Sequence, residues 1–555
     1  MDDVWQWLIS LPSLPGKPSS QTIVVLAASP DRTTSIALQA DCIPSVEGDE
    51  GEKTLVDFSL ALNGTNGGVR VLWTSGRFAA ASSVALRCQL LARLLDEVIM
   101  LSPFIPCMSG NHGGLPEPKL DEEVVAGVFD MAETDGTAPA ASFFSLALLL
   151  RLFWLCACEA PGDTGFLFFQ ALGADIERAL GNCRPALGQL LCSVGPDVEQ
   201  QFMRSLGYMF AKLCLLREMQ AESAARQTAL PAACLSLSYA TEVHGLLILK
   251  GYAPVIAMYR VTSAAWTPIA ALPHEAPEEP ALRYGLAHQQ LEVVAHLEYA
   301  ICARNKRFMT ISVRVDNVRV RVARLGLRKD ETDTGGEDVD DDAMDSERHF
   351  PSRLRLWVGP RFGASYATGP SLGRSTGNPE RHVEMTRTVR GTFAGTTKLA
   401  NGVVLPRVKA KMRSSARRCN RSWRWEQEAE GSAGVFEGVL CDPVTGTEIA
   451  SWRDSNGGTA GAADPRNGMR RRYGGPGRAF TKMWGLVVAG DDLPEEVTWR
   501  VGMEAEGRTV PWRVGLKAWV SYMPNGVRSR HFETRCIEWA HEVELPLVAV
   551  NGEDL

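Results

Sequence analysis

The chain lacks the short signatures that usually mark catalytic and metal-binding sites. No C-x-x-C pair occurs among its 13 cysteines, which excludes a zinc ribbon and a thioredoxin-type redox site. The phosphate-cradling G-x-x-x-x-G-K-[ST] loop and the H-E-x-x-H zinc helix are also missing. A basic leader is absent too: the opening MDDVWQWLISLP carries two acids where a signal peptide has positive charge, and Pro12 breaks the apolar stretch. Secretion is therefore not expected, and the sequons at Asn63-Gly64-Thr65 and Asn420-Arg421-Ser422 are read as chance matches. No repeat recurs at a fixed period. Nor is there a strong charge imbalance: −7 over 555 residues gives no whole-protein attraction to nucleic acid or acidic membranes, so such binding requires a local patch.

Long apolar runs are equally scarce. The one worth weighing is 140–158 (AASFFSLALLLRLFWLCAC). Arg151 inside it costs about 2.5–3.5 kcal/mol on the insertion scale, and its flanks carry Glu133, Asp135 and Glu159 instead of a basic anchor. The run is expected to be a buried helix, with no transmembrane insertion. Many cysteines lie in apolar runs, as small hydrophobes do, which points to a reducing compartment and an intracellular protein, cytoplasmic or nuclear.

What is present is ordinary globular material, with 45% apolar and 22% charged residues. The length exceeds what one core usually organises, so two or more units are expected. Residues 1–75 form a leader followed by four short strand-like runs (22–28, 34–40, 54–62, 68–74) separated by turn residues, a β-meander. Between 76 and 304 the apolar period is near 3.6. Leu91, Leu94, Leu95 and Val98 form one stripe, with Arg93 and Glu97 at i,i+4 on the other side; Phe202, Leu206, Met209, Phe210, Leu213 and Leu216 form another. From 305 to 555 the period turns to two, clearest in 309–322, and nine of the 14 tryptophans fall there. The fold class is α+β: a helix-rich N-terminal half that starts with the meander, then an antiparallel β-sandwich or barrel-like C-terminal half. Residues 330–347 hold ten acids and read as a solvated loop; 454–478, rich in Gly and Ala, read as an insertion.

Several constellations bear on chemistry. G-x-S-x-G occurs around Ser371 and Ser375, but both flanks are Gly/Pro/Ser-rich, where a nucleophile elbow needs a strand entering and a helix leaving. Asp338, Asp340 and Asp342 alternate like calcium ligands, yet Ala343 stands where glycine is needed and His349 where the bidentate glutamate belongs. His112 sits in a glycine-rich loop. In 282–302, read as a helix, His288, Glu292 and His296 share one face and form the weak metal candidate; no cofactor is otherwise implied. The most distinctive feature is basic. Arg407, Lys409, Lys411, Arg413, Arg417, Arg418, Arg421 and Arg424 run without an intervening acid beside Trp423 and Trp425, a composition suited to phosphates with ring stacking, or to a solvated ribbon facing the protein's own acidic loop.

The segments MDDVWQWL, LRYGLAHQQLEVVAHLEYA, RHFPSRLRLWVGP, SLGRSTGN, WRWEQEAEGSAGVFEGVLCDPVTGTEIASW and FETRCIEWAHEVELPL together resemble a plant family of uncharacterised intracellular proteins. The resemblance spans most of the chain and transfers no activity, cofactor or catalytic residue. The expectation is a non-catalytic intracellular interaction or structural module with a protein partner. Nucleic-acid or anionic-lipid binding through 407–424 is the alternative, and a metal-dependent enzyme using 282–302 the second alternative.

Overall fold

The computed structural model describes residues 1–11, 20–44, 54–64, 68–80, 82–100, 120–134, 137–156, 162–223, 235–255, 289–303, 307–325, 348–373, 381–393, 408–420, 422–441, 448–449, 479–480, 485–489, 493, 496–523 and 534–548. After the short helix α1 (Asp2–Ser10), strands β1 (Ser20–Ala28), β2 (Ser35–Pro44), β3 (Thr54–Asn63) and β4 (Val69–Ala80) form an antiparallel four-stranded sheet in chain order. This is the meander that the turn residues mark out. Alternation sets its faces: Ile36, Leu38, Ala40, Val56, Phe58 and Leu60 are buried against the helices.

Five longer helices follow: α2 (Ser83–Met100), α3 (Glu122–Thr134), α4 (Thr137–Trp154), α5 (Gly162–Ser193) and α6 (Pro196–Ser223). The stripe Leu91, Leu94, Leu95 and Val98 of α2 is fully buried, and so is the expected stripe of α6 from Phe202 to Leu216. Each such side chain contributes about 1.5–3 kcal/mol on burial. Helix α4 is apolar all round and lies inside this core. Its Arg151 Nε meets Glu97 of α2 at 2.7 Å; Glu97 also takes Arg93 at 2.7 Å, as the i,i+4 spacing predicts, and the Trp73 indole N–H of β4 at 2.6 Å. Among the described residues no helix is long and apolar enough to cross a membrane.

Among the described residues the last α-helix ends at Ser223, where helix was expected on to 304. Residues 237–255 and 289–303 are strands: β5 (Leu237–Val243), β6 (Leu246–Val255) and β7 (Gln289–Ala303). This corrects the helix expected over 282–302 from Gln289 onward; 282–288 lie outside the described residues. Leu291, Val293, Ala295, Leu297 and Ile301 keep one parity and are all buried, a pattern obscured by the helix-forming Glu292, Glu298 and Ala300 between them. The β5–β6 link is a two-residue turn, His244-Gly245, with both φ values positive (47° and 88°), the geometry that suits twisted hairpins.

Strand β7 pairs with β8 (Phe308–Arg324), which also pairs with β15 (Leu486–Ala489) and β16 (Val497–Gly502); β10 (Ala367–Leu372) closes the far side of this seven-stranded sheet. A five-stranded sheet runs β13 (Trp423–Glu430), β14 (Ala433–Leu440), β9 (Arg348–Pro360), β17 (Thr509–Met523), β18 (Thr534–Pro546). The last pair is β11 (Arg381–Phe393) with β12 (Val408–Asn420). All pairings are antiparallel. The seven- and five-stranded sheets share one apolar core, in which Trp499 of β16 meets Trp512 of β17 edge to face at 5.2 Å. No sheet closes on itself among the described residues, so the barrel alternative is not met there. Ser371, the first elbow candidate, lies in β10 opposite Thr498 of β16, not at a strand-to-helix turn.

Candidate functional site

The basic stretch is divided by the fold. Lys409, Lys411, Arg413, Arg417 and Arg418 lie on β12; Arg407 and Arg421 fall outside the described residues; Trp423, Arg424 and Trp425 begin β13, in another sheet. The register of β12 on β11 sets Lys409 opposite Thr392, Lys411 opposite Arg390, Arg413 opposite Thr388, Arg417 opposite Glu384 and Arg418 opposite Val383. Positions of one parity, from Lys409/Thr392 to Cys419/His382, are all polar. Those of the other parity include Val408/Phe393, Met412/Val389 and Ala416/Met385. The pairing recruits three bases that lie outside the original stretch: Arg381, Arg387 and Arg390 of β11. Of these only Arg390 shares the parity of Lys409, Lys411 and Arg413; Arg381 and Arg387, opposite Asn420 and Ser414, take the other.

The two tryptophans are engaged elsewhere. Trp425 is buried in the shared core, and Trp423, half-buried, donates its indole N–H to the Ala479 carbonyl at 3.2 Å and stacks on Trp425 at 6.1 Å. Arg424 pairs with Glu426 at 3.0 Å on the exposed side of β13. Stacking on a ligand is thereby separated from the basic strand.

The metal candidate also changes character on a strand. His288 lies outside the described residues, while Glu292 and His296 occupy β7 four residues apart. Glu292 is committed to Arg204 of α6, which donates from Nε at 2.9 Å and Nη2 at 3.2 Å. His296 is half-buried, and burial holds its imidazole below the ordinary histidine range. Among the described residues no His, Cys, Asp or Glu group could hold a metal ion.

Glu292 instead belongs to a polar layer between α6 and the sheet, which no local sequence signal announced. Arg321 of β8 stands opposite Glu292; burial pushes its guanidinium down, Glu292 opposes that shift and Arg204 adds to it. One turn before Arg204, Glu199 accepts the Tyr239 hydroxyl at 2.5 Å and the Tyr252 hydroxyl at 2.6 Å, and pairs with Lys250. Burial first, and Glu199 second, keep both phenols protonated. The helix comes so close that a Cβ at Gly207 would lie 1.6 Å from the Gln290 amide oxygen, so any larger residue there has to displace the Gln290 side chain. This layer is satisfied largely by its own members. It reads as the joint between helices and sheet, not as a reaction centre.

No family model matches the chain, and no curated protein matches it. Among solved structures, the Clostridium perfringens NetB toxin in its membrane-inserted form overlaps at 7% identity and a TM-score of 0.22, covering 57% of this chain and 97% of the toxin. Clostridium perfringens delta-toxin overlaps at 9% and 0.20, covering 56% and 96%, and a pore forming protein at 7% and 0.17, covering 55% and 88%. Overlaps this slight establish no common fold, and nothing is carried over from those proteins.

Proposed function

We propose that this is a non-catalytic interaction protein whose β11–β12 ribbon binds a phosphate-bearing polyanion. The observation that carries the reading is the register: Arg390 opposite Lys411, with Lys409 and Arg413 two residues away on either side and no acid among them. Like charges directly opposite destabilise a strand pair, so a ribbon built this way gains stability from an anion laid along it. Its two strands carry eight Lys and Arg against Glu384 alone, in a chain whose net charge is −7. Same-parity residues recur about every 6.8 Å along a strand, a step that a phosphodiester chain can follow. The acidic segment 330–347, outside the described residues, is the internal competitor for the same charge. The free thiols of Cys42, Cys183, Cys192, Cys302, Cys441 and Cys536, together with the plant-family resemblance, support an intracellular placement for this activity.

The test is binding of single-stranded RNA, duplex DNA and anionic liposomes by the whole protein at low salt. A ribbon that neutralises about six phosphates of a duplex loses about a thousandfold in affinity between 50 and 200 mM salt. Changing Lys409, Lys411, Arg413 and Arg417 together to glutamine should remove most of the binding, and deleting 330–347 should strengthen it. Absence of binding to all three probes, or equal binding by the glutamine variant, overturns the reading.

A further inference from the structure

The outer face of the five-stranded sheet is built differently from its inner face. Register places Trp357 of β9 opposite Gly515 of β17, and Arg353 opposite Trp519 four residues further along. The Trp357 ring lies flat across the neighbouring strand: a Cβ on Gly515 would stand 2.2 Å from its six-membered ring. Both indoles are half-buried, unlike Trp512 and Trp539, which face the core. The Arg353 guanidinium and the Lys517 ammonium lie over the Trp519 ring, 4.9 Å and 5.5 Å from its centroid, and hold it in orientation while covering part of its face. Four residues of strand separate the two ring-bearing rows by about 13–14 Å.

Between the rings runs a row of charged side chains in register, Glu426–Glu437–Arg355–Lys517–Glu538 across the five strands. Most cations of this face have a carboxylate, while Arg513 of β17, in the same alternation, donates from Nε to the Pro360 carbonyl at 2.9 Å. Arg353 pairs with Glu437, Arg355 with Glu430 at 2.6 Å, and Lys517 with Glu538 at 3.3 Å. A face so balanced has little net attraction for a polyphosphate, which separates it from the ribbon. It offers instead hydrogen-bond donors and acceptors side by side, and a hydroxyl group satisfies both at once. Two flat apolar rings flanking such an array match a ligand with apolar C–H faces and hydroxyl-bearing edges.

We propose that this face binds a linear uncharged polysaccharide, with Trp357 and Trp519 each stacking on a sugar ring and the Arg355–Lys517–Glu538 row hydrogen-bonding the hydroxyls between them. The rings supply affinity through buried apolar area, and the charged row supplies orientation. Pre-alignment of Trp357 over Gly515 lowers the ordering cost of binding.

The experiment is affinity electrophoresis of the full chain in gels containing a soluble β-glucan, a xylan or a mannan, with a single-stranded RNA oligonucleotide measured separately in solution. Retardation by at least one neutral glycan is expected, persisting from about 50 to 500 mM salt because no counterions are released. Trp519→Leu and Trp357→Leu should each weaken it about tenfold or more, equivalent to about 1.4 kcal/mol. Lys517→Gln with Glu538→Gln, a half-buried lysine and an exposed glutamate of the edge strand β18, should weaken it at unchanged melting temperature, which separates lost contacts from lost folding. The glutamine variant of the ribbon should bind the glycan as the parent does. The inference is overturned if no glycan retards the protein, or if the Lys517/Glu538 variant and both tryptophan variants bind like the parent. It is also overturned if these substitutions abolish salt-sensitive RNA binding instead.

Discussion

Replacing Glu292 by leucine isolates the energetics of the joint between α6 and the sheet. Arg204 is only 1% exposed, and its bidentate partner Glu292 also stands opposite Arg321. Removing the carboxylate leaves the buried Arg204 guanidinium beside the half-buried Arg321 with no carboxylate between them. Loss of one member of a buried pair costs about 3–5 kcal/mol, and here the remaining like charges place the loss at the upper end, about 5 kcal/mol. Arg204→Met is a different perturbation, because Glu292 keeps Arg321 as a neighbour; its cost should be about 1–3 kcal/mol. The double variant removes the pair and returns one apolar contact between helix and strand, so it should be more stable than Glu292→Leu alone, with a coupling of about 2–3 kcal/mol. Urea titrations followed by tryptophan fluorescence, compared at matched slopes, measure all four proteins. Equal costs for the two single variants, or single costs that simply add in the double, would refute the claim that Glu292 holds two cations.

Three further outcomes follow from the geometry. Gly515→Val should lower stability by about 1–3 kcal/mol or more, because the new side chain meets both the Trp357 ring at 2.2 Å and the Trp539 carbonyl at 2.7 Å, and thermal melting reads it directly. His541, bonded to Ser238 at 2.7 Å across β18 and β5, is held below its ordinary range by burial and then by Arg184; His296 is held low by burial as well. The unfolded chain therefore binds these protons first, so stability should fall as the pH drops through about 6.5, by up to about 1.4 kcal/mol per pH unit for each imidazole, and His541→Gln should flatten that slope in melts between pH 7.5 and 5.5. Arg151→Met should cost about 3 kcal/mol or less, since Glu97 retains Arg93 and the Trp73 indole; a loss above about 5 kcal/mol in urea titrations would contradict that sharing.

Much of this fold is written in local patterns. The meander strands could be read from short alternating runs between turn residues, and α2 and α6 from stripes at helical spacing, because in each case one element buries one face and the period of that face survives in the sequence. The pair Arg93–Glu97 was legible for the same reason. Residues 289–303 were not: β7 is a long strand between two neighbours, rich in Ala and Glu, and its composition favours helix until pairing partners from β6 and β8 decide otherwise. The tertiary structure alone also sorts the tryptophans. Trp512 and Trp519 both lie on β17, seven residues apart, so the pleat sends one into the core and the other to the outer face, but which face is which depends on the sheet packed opposite. Likewise the run from Lys409 to Trp425 looked continuous along the chain, and strand pairing gave its bases to β11 and its rings to the core. Charge and ring type are properties of the residues themselves; the company each keeps is set by contacts between segments far apart in sequence, which no local period encodes.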